Sequence, residues 1–389
     1  MKRTALAMEI LPSPIAAVPG KIPRDITRDD EIIFQQITSR ELSEGEQTRI
    51  KTPPRVCSRQ GEVLAVHWHP EFIPMDLILQ RIQAMFPKRG EELIIPTQHN
   101  VLMQHGLYTG VEVDCFSRGF NQKVQLLIHF RNENLEQADV FKSMLAHTFQ
   151  YRSGQLFDFI HSITRPVEER IAPAAAETGS GKEIVEFVRI YVKKIETLLE
   201  RHESELPEDA VKNKLLRDFF DQLRPVYGDR VISRAQTFLK AVKQLVKAHF
   251  PTRYFYRTSE IIEEARALGG GIVIPHPEQF WPILLAGYDV DGIEVWNPQS
   301  RRYTEFLISV LNEKNQRRRH GEIPLLIFMG DDTHMGEKRK KPELQDPDKA
   351  RREIGLQPAW DDLKIRKQLI FANTSRRKVI REYIQRLAG

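Results

Sequence analysis

The sequence predicts an α/β protein with a parallel sheet or barrel that a long helical block interrupts. Short apolar runs typical of buried strands alternate with segments of helical periodicity. The runs are almost continuously apolar, as expected for strands that are covered on both faces. Polar residues follow these runs, which is where parallel α/β proteins build their sites.

The chain divides into five predicted segments. Residues 1–60 form a polar, proline-rich N-terminal arm. Strand-like runs such as EVLAVHWHPE, ELIIPTQHN and VQLLIHF occupy residues 61–130, and runs such as GGGIVIPHPE and DGIEVWN return in residues 251–337. The helical periodicity of EIVEFVRIYVKKIETLLERH makes residues 131–250 a helical insertion. Residues 338–389 form a basic helical C-terminal tail.

The positive charge of the chain is concentrated in this tail. The whole sequence carries a formal net charge of +5, whereas the tail alone has fifteen Lys and Arg against seven Asp and Glu. Such an excess predicts contact with nucleic acid or another polyanion. The alternative interpretation is a solvated helix surface of mixed charge.

Cysteine usage and hydropathy limit the location of the protein. Two cysteines, Cys57 and Cys115, cannot form a disulfide framework, which favours a reducing compartment. No stretch approaches the length of a membrane span. The first 20 residues resemble a signal peptide only faintly, because Glu9, Pro12 and Pro14 interrupt their apolar run. We therefore expect a cytoplasmic protein without membrane contact.

Potential metal ligands come from six separate segments, each at or after the end of an apolar run. Residues two apart in a strand point to the same side, so the H-x-H and D-x-H pairs can reach one ion or two adjacent ions. A single histidine at the end of a strand is more often a hydrogen-bonded core residue. Potential ligands at the ends of six separate strand-like segments together favour a metal site. Imidazole with carboxylate suits zinc, manganese or iron. The predicted ligands are His67, His69, His99, Glu112, His129, His276, Asp332 and His334.

These motifs resemble those of the PHP family, named for polymerase and histidinol phosphatase. The stretches that carry the resemblance cover roughly residues 61–130 and 252–337, in the order VHWHPE, PTQHN, GVEVD, LLIHF, TSEIIEEARALGGGIVIPHPE, GIEVWN and GDDTHMGE. The resemblance implies a distorted TIM-like (β/α)7 barrel with two or three divalent metal ions at the C-terminal ends of its strands. It also implies hydrolysis of phosphate esters.

The resemblance further implies which residues share an ion. One ion would bind His67, His69, Glu112 and Asp332; a second would share Glu112 and add His129 and His276; a third would use His99 and His334. Three positions depart from the family pattern: Ala65 replaces an acid, Met75 replaces a histidine, and Gln98 replaces the aspartate of a T-D-H motif. Glu71 and Asp76 are candidates to compensate for these losses.

The predicted function is metal-dependent hydrolysis of a phosphate ester by a two- or three-metal site. The candidate substrates are a small phosphate, a nucleotide and a nucleic-acid end. Two ions about 3.5–4 Å apart would activate water and neutralise the phosphoryl group. Asp332 and His334 are the predicted catalytic residues, through proton transfer to the leaving group. Arg118, Arg257 and Arg301 are predicted to bind substrate.

Two other functions stay open. A non-hydrolytic, metal-bound PHP module that binds a polyanionic or protein partner is favoured by the three departures and opposed by complete ligand sets for two ions. Hydrolysis of a non-phosphate bond would call for a metal-bridging lysine, which the strand ends lack. The helical insertion is either a cap over the site or a docking surface for a partner.

Overall fold

The computed structural model describes residues 22–319 and 321–389. Residues 1–21, which include the signal-peptide-like stretch and the start of the predicted arm, lie outside the described residues, as does position 320. No helix in the described part of the chain is long and apolar enough to cross a membrane.

The described residues divide into two compact units. The helical unit contains the residues up to Ser39 together with Arg152–Phe250, and the sheet unit contains Arg40–Tyr151 and Pro251–Gly389. The units do not coincide residue for residue with the predicted segments. A helix from the predicted arm belongs to the helical unit, and the helix Asp139–Phe149 belongs to the sheet unit.

The strands of the described residues all lie in the sheet unit. They are β1 (Glu62–Ala65), β2 (Trp68–His69), β3 (Glu91–Ile94), β4 (Gln98–His99), β5 (Met103–His105), β6 (Tyr108–Ser117), β7 (Gln122–Arg131), β8 (Gly271–Ile274), β9 (Gly292–Trp296), β10 (Leu326–Met329) and β11 (Thr333–His334).

The helices of the first half are α1 (Arg28–Thr38), α2 (Glu44–Lys51), α3 (Met75–Met85), α4 (Asp139–Phe149), α5 (Tyr151–Thr164), α6 (Glu168–Thr178) and α7 (Lys182–Arg201). Those of the second half are α8 (Lys214–Gln222), α9 (Arg224–Ala248), α10 (Thr258–Ala267), α11 (Thr304–Gln316), α12 (Gly336–Arg339), α13 (Pro347–Ala350), α14 (Leu363–Phe371) and α15 (Arg376–Leu387).

The largest sheet has the order β10-β9-β8-β7-β6-β4, with β5 also paired to β6. The pairs β4–β6, β8–β9 and β9–β10 are parallel, as are the separate pairs β1–β3 and β11–β2. In contrast, β7 runs antiparallel to both neighbours, so the sheet is mixed. A short turn at Arg118–Asn121 joins β6 to β7, and such a turn can connect antiparallel strands only.

The core of the sheet unit lies between the strands and the surrounding helices. It includes the fully buried side chains of Val113, Leu126 and Val273. Helix α15 contributes Ile380 and Tyr383 to the same core. Burial of one such aliphatic side chain stabilises the fold by roughly 1.5–3 kcal/mol. The predicted basic tail is therefore partly a structural layer of this unit.

The helical unit has its own core. The apolar positions predicted from helical spacing lie on α7, and Val188, Val192 and Ile195 are fully buried there. One buried ion pair accompanies them, in which Lys194 Nζ lies 2.7 Å from Asp30 Oδ2 on α1. A pair of this kind contributes little net stability but opposes alternative packings of the two helices.

Candidate metal centre

Strand pairing brings distant histidines and acids into neighbouring positions. In the parallel pair β11–β2, His334 lies beside His69, and in the parallel pair β4–β6, His99 lies beside Glu112. His276 follows β8 directly. Residues far apart in the sequence thus meet, most of them at or directly after the ends of short strands, whereas Glu112 lies in the middle of β6.

Glu112 lies among four imidazoles. Its Oε2 is 2.7 Å from His99 Nδ1 and 3.5 Å from His69 Nε2, and its Oε1 is 3.8 Å from His67 Nε2 and 3.4 Å from His276 Nε2. Burial alone would raise the pKa of this carboxyl, but the surrounding imidazoles, His99 foremost, hold it well below the usual value. Glu112 is therefore an ionised carboxylate with both oxygens directed at histidine nitrogens.

Asp332 forms the second anionic point of the cluster. Its Oδ1 lies 3.8 Å from His67 Nε2, 3.5 Å from His69 Nε2 and 3.4 Å from His334 Nε2. Its Oδ2 accepts a hydrogen bond of 2.5 Å from the Arg352 guanidinium, which also donates to the Asp332 backbone carbonyl at 3.0 Å. Burial would raise the pKa of Asp332, but the histidine contacts hold it well below its usual value.

Several buried ring nitrogens in this cluster make no hydrogen bond within the described residues. They are His67 Nε2 and both nitrogens of His69. Burial, with His334 and His99 nearby, lowers the pKa of His69 to about 3, so the ring is neutral and one nitrogen keeps a lone pair. Buried polar atoms are normally satisfied, so these nitrogens fit metal ligands. Two sets of ligand atoms, His69 with His99 and His334, and His67 with His69 and Glu112, each lie within 4.8 Å of one another.

Glu294 supports this cluster and was not among the predicted residues. Its Oε1 is 2.7 Å from His67 Nδ1, and its Oε2 accepts from the backbone N–H of His276 at 3.0 Å. A carboxylate on the far nitrogen of a ligating histidine fixes the tautomer and the ring orientation. The available signal was the acid in the middle of GIEVWN, which points inward from β9.

The structure does not bring the eighth predicted ligand, His129, into the cluster. Its Nε2 lies 2.9 Å from the Val66 carbonyl and its Nδ1 lies 2.7 Å from the Tyr383 hydroxyl, so both nitrogens are occupied by protein atoms. The reason is the direction of β7. Because this strand is antiparallel, its C-terminal end lies beside Gly110, before Glu112, and its earlier residue Gln125 lies near His99 instead.

Glu71 and Asp76, the two candidates to compensate for the departures at Ala65, Met75 and Gln98, lie at different distances from the cluster. Glu71 Oε1 lies 3.5 Å from His334 Nδ1, whereas Asp76 is exposed in the first turn of α3. Gln98 accepts a hydrogen bond from the backbone N–H of Glu71 at 3.3 Å. The glutamine that replaces an aspartate therefore helps to hold a carboxylate beside His334.

The backbone at the cluster adopts an uncommon conformation. Four of its residues have positive φ without being glycine: Glu71 at 54°, Asn100 at 55°, His276 at 29° and Asp332 at 46°. Such angles cost free energy and persist only where the surroundings enforce them, which is common at functional sites.

The three predicted substrate-binding arginines are exposed. Arg118 lies in the β6–β7 turn, Arg301 precedes α11, and Arg257 precedes α10, where its guanidinium is 3.9 Å from Glu260. Among the described residues, Arg352 is the arginine that contacts Asp332, and nothing in the sequence separates it from the other basic residues of its segment.

Comparison with known proteins gives little beyond this geometry. No family model matches the chain, and no curated protein matches it. One similar solved structure is that of a Bifidobacterium adolescentis protein with a provisional description as a metal-dependent phosphoesterase. It is 18% identical, with a TM-score of 0.39, over 82% of this chain and 97% of that chain.

Proposed function

We propose that the strands of the sheet unit close into a distorted seven-stranded barrel. Residues 62–69, 91–99 and 326–334 each contain two short strands in succession. The run 62–69 pairs with the run 91–99 through β1–β3 and with the run 326–334 through β2–β11. The same two partner runs also contain β4 and β10, which form the opposite edges of the largest sheet. These pairings support a closed ring of seven, in the order 62–69, 91–99, β6, β7, β8, β9 and 326–334.

We propose that this barrel carries a metal centre that hydrolyses phosphate esters. One observation carries the proposal: buried imidazoles and ionised carboxylates converge, and three of the ring nitrogens have no hydrogen-bond partner among the described residues. The converging residues are His67, His69, His99, Glu112, His276, Asp332 and His334.

The contacts support particular ligand sets. One ion would be held by His67, His69, Glu112 and Asp332. The others would draw on His276, His99 and His334, with Glu112 shared. We leave His129 out because its ring nitrogens are occupied. The imidazole and carboxylate donors suit zinc, manganese or iron.

The residues around the proposed metal centre would have distinct roles in hydrolysis. Bound divalent ions would supply a nucleophile from water at neutral pH and neutralise charge on the phosphoryl group. Glu294 keeps His67 Nε2 directed at the carboxylates, and Arg352 orients Asp332. His334, whose side chain is 19% exposed, is our candidate for proton transfer to the leaving group in a centre that lacks the third ion, because a ligated ring nitrogen cannot carry the proton.

The substrate contacts are also proposals. Arg118, Arg257 and Arg301 are exposed, which fits a role in binding rather than in chemistry. Contact with nucleic acid through residues 338–389 rests on net charge, and several arginines there pair with acids of the same unit. Examples are Arg377 with Glu62 and Arg386 with Glu382.

The test is hydrolysis of p-nitrophenyl phosphate and bis(p-nitrophenyl) phosphate with added Mn²⁺, combined with metal analysis. We expect turnover that a chelator abolishes and that His67→Ala removes. His147→Ala is the matched control, because this exposed histidine lies in the same unit outside the cluster. Absence of turnover on both esters by metal-loaded wild type would refute the proposal and favour a non-hydrolytic module.

A further inference from the structure

The hairpin of β6 and β7 continues beyond the metal centre and carries a second group of polar residues. In this antiparallel pair, Glu112 lies opposite Leu127, Asp114 opposite Gln125, and Phe116 opposite Lys123. Directly paired residues point to the same face of a sheet. The contact between Gln125 and His99 shows that this face is the one that carries the cluster.

Asp114 is fully buried and surrounded by donors. Asn100 Nδ2 donates to its Oδ2 at 2.7 Å, the Tyr151 hydroxyl donates to the same oxygen at 2.9 Å, and Lys123 Nζ lies 2.6 Å from its Oδ1. Because the Asp114 side chain is fully buried beneath these donors, a ligand that enters along this face does not meet the carboxylate.

Lys123 is the accessible member of the pair. Its side chain is 38% exposed, whereas that of Asp114 is 0% exposed. Its ammonium lies 4.9 Å from the centre of the Tyr151 ring and 5.6 Å from that of Phe255, so two aromatic faces help to fix it. An ammonium has three donors, and the described residues offer it an ion pair with Asp114 and one hydrogen-bond acceptor, the Tyr151 hydroxyl at 3.5 Å.

The residue that this ammonium contacts lies close to Glu112 along β6. The ammonium contacts Asp114, which is two residues beyond Glu112 on β6. Two residues of an antiparallel strand span about 7 Å. This length is comparable to the separation of two phosphate groups on one small sugar or polyol.

We propose that Lys123 binds a second anionic group of the substrate, so that the centre acts on small phosphate esters that carry two phosphates. This inference rests on the proposed phosphoesterase function and names its substrate class. The metal centre takes the phosphate that is hydrolysed, and the Lys123 ammonium takes the other. Lys123 is thus a specificity-determining residue without a part in the chemistry.

The test compares fructose 6-phosphate with fructose 1,6-bisphosphate, as substrates with Mn²⁺ and as ligands in calorimetry. Wild type should have the lower KM for the bisphosphate. Lys123→Gln should raise that KM about tenfold or more, the usual effect of losing a hydrogen bond to a charged group, and leave the monophosphate KM unchanged. Lys123→Arg should restore most of the loss. Lys88→Gln, at an exposed lysine of the same unit, should change neither value.

A second variant guards against misfolding, because Lys123→Gln leaves the buried Asp114 without its cation. The double variant Asp114→Asn with Lys123→Gln removes both charges and should show the same selective loss. Equal effects on both sugars, or no preference of wild type for the bisphosphate, would overturn the assignment. If wild type hydrolyses neither sugar, calorimetry decides on the subsite: bisphosphate binding that depends on Lys123 keeps it, and binding independent of Lys123 refutes it. The p-nitrophenyl esters decide separately on the phosphoesterase.

Discussion

Replacement of Arg352 by methionine should weaken metal binding without removing any ligand. The guanidinium donates to the Asp332 carboxylate and carbonyl, and both side chains are largely buried, with 5% and 12% exposed. Asp332 also has a φ of 46°, so it needs support from its surroundings to hold this position. Methionine preserves the apolar stem of arginine and deletes both hydrogen bonds.

The magnitude follows from these contacts. Loss of a residue that orients a metal ligand typically costs about 10–100-fold in metal affinity, which is roughly 1.4–2.7 kcal/mol. In the metal-free protein, loss of one partner of a buried pair costs about 3–5 kcal/mol of unfolding free energy. We expect the lower end, because the histidines around Asp332 still face its carboxylate.

The assay is calorimetric titration of Mn²⁺ and urea unfolding of the metal-free protein, for wild type, Arg352→Met and Arg351→Met. The neighbouring Arg351 is exposed and serves as the control. A double-mutant cycle with Asp332→Asn isolates the interaction between Arg352 and Asp332. Equal metal affinity and equal unfolding free energy in the two arginine variants would refute the view that Arg352 orients Asp332.

Three further predictions test other parts of the centre. Burial opposes protonation of His67, but Glu294 outweighs it and raises the pKa of His67 to about 10 in the absence of metal. Metal binding should therefore release protons and tighten as pH rises toward 10, which calorimetry in buffers of different ionisation heat will show. The same raised pKa stabilises the metal-free fold fully below about pH 6.5, and this contribution should be lost as pH rises through about 10, measured by urea unfolding. His129→Gln should lower stability by about 1–3 kcal/mol and leave the metal content unchanged; loss of metal would show that the histidine is a ligand. Gly330→Ala places a Cβ against the Glu294 carboxylate and should weaken metal binding, whereas Gly287→Ala, with open space around it, should not; equal affinities would contradict this.

The strand-end pattern predicted most of the residues that meet in this cluster, and their role as metal ligands stays a prediction. Seven of the eight predicted ligands converge, and their positions follow from apolar runs that end in histidine or acid. His129 fits the same pattern, but periodicity does not give the direction of a strand. The short connection between β6 and β7 was the available sign of a hairpin, and it reverses which end of β7 faces the cluster.

The supporting residues were harder to identify from the sequence. Glu294 lies inside an apolar strand, where a buried acid has no distinct periodicity, and its task depends on the orientation of His67. Arg352 is one of many basic residues in its segment, and only tertiary folding brings it to Asp332. Residues that position a ligand are harder to recognise from sequence patterns than the ligands themselves.

The contacts of residues 338–389 have a consequence for the order of events during synthesis. A fragment that stops at residue 337 would contain every predicted ligand, yet it would lack the arginine that orients Asp332 and the tyrosine bonded to His129. Both of these residues leave the ribosome after all the ligands have done so. We therefore expect loading of the ions to be a post-translational step, and we expect this segment to be indispensable in any shortened version of the protein.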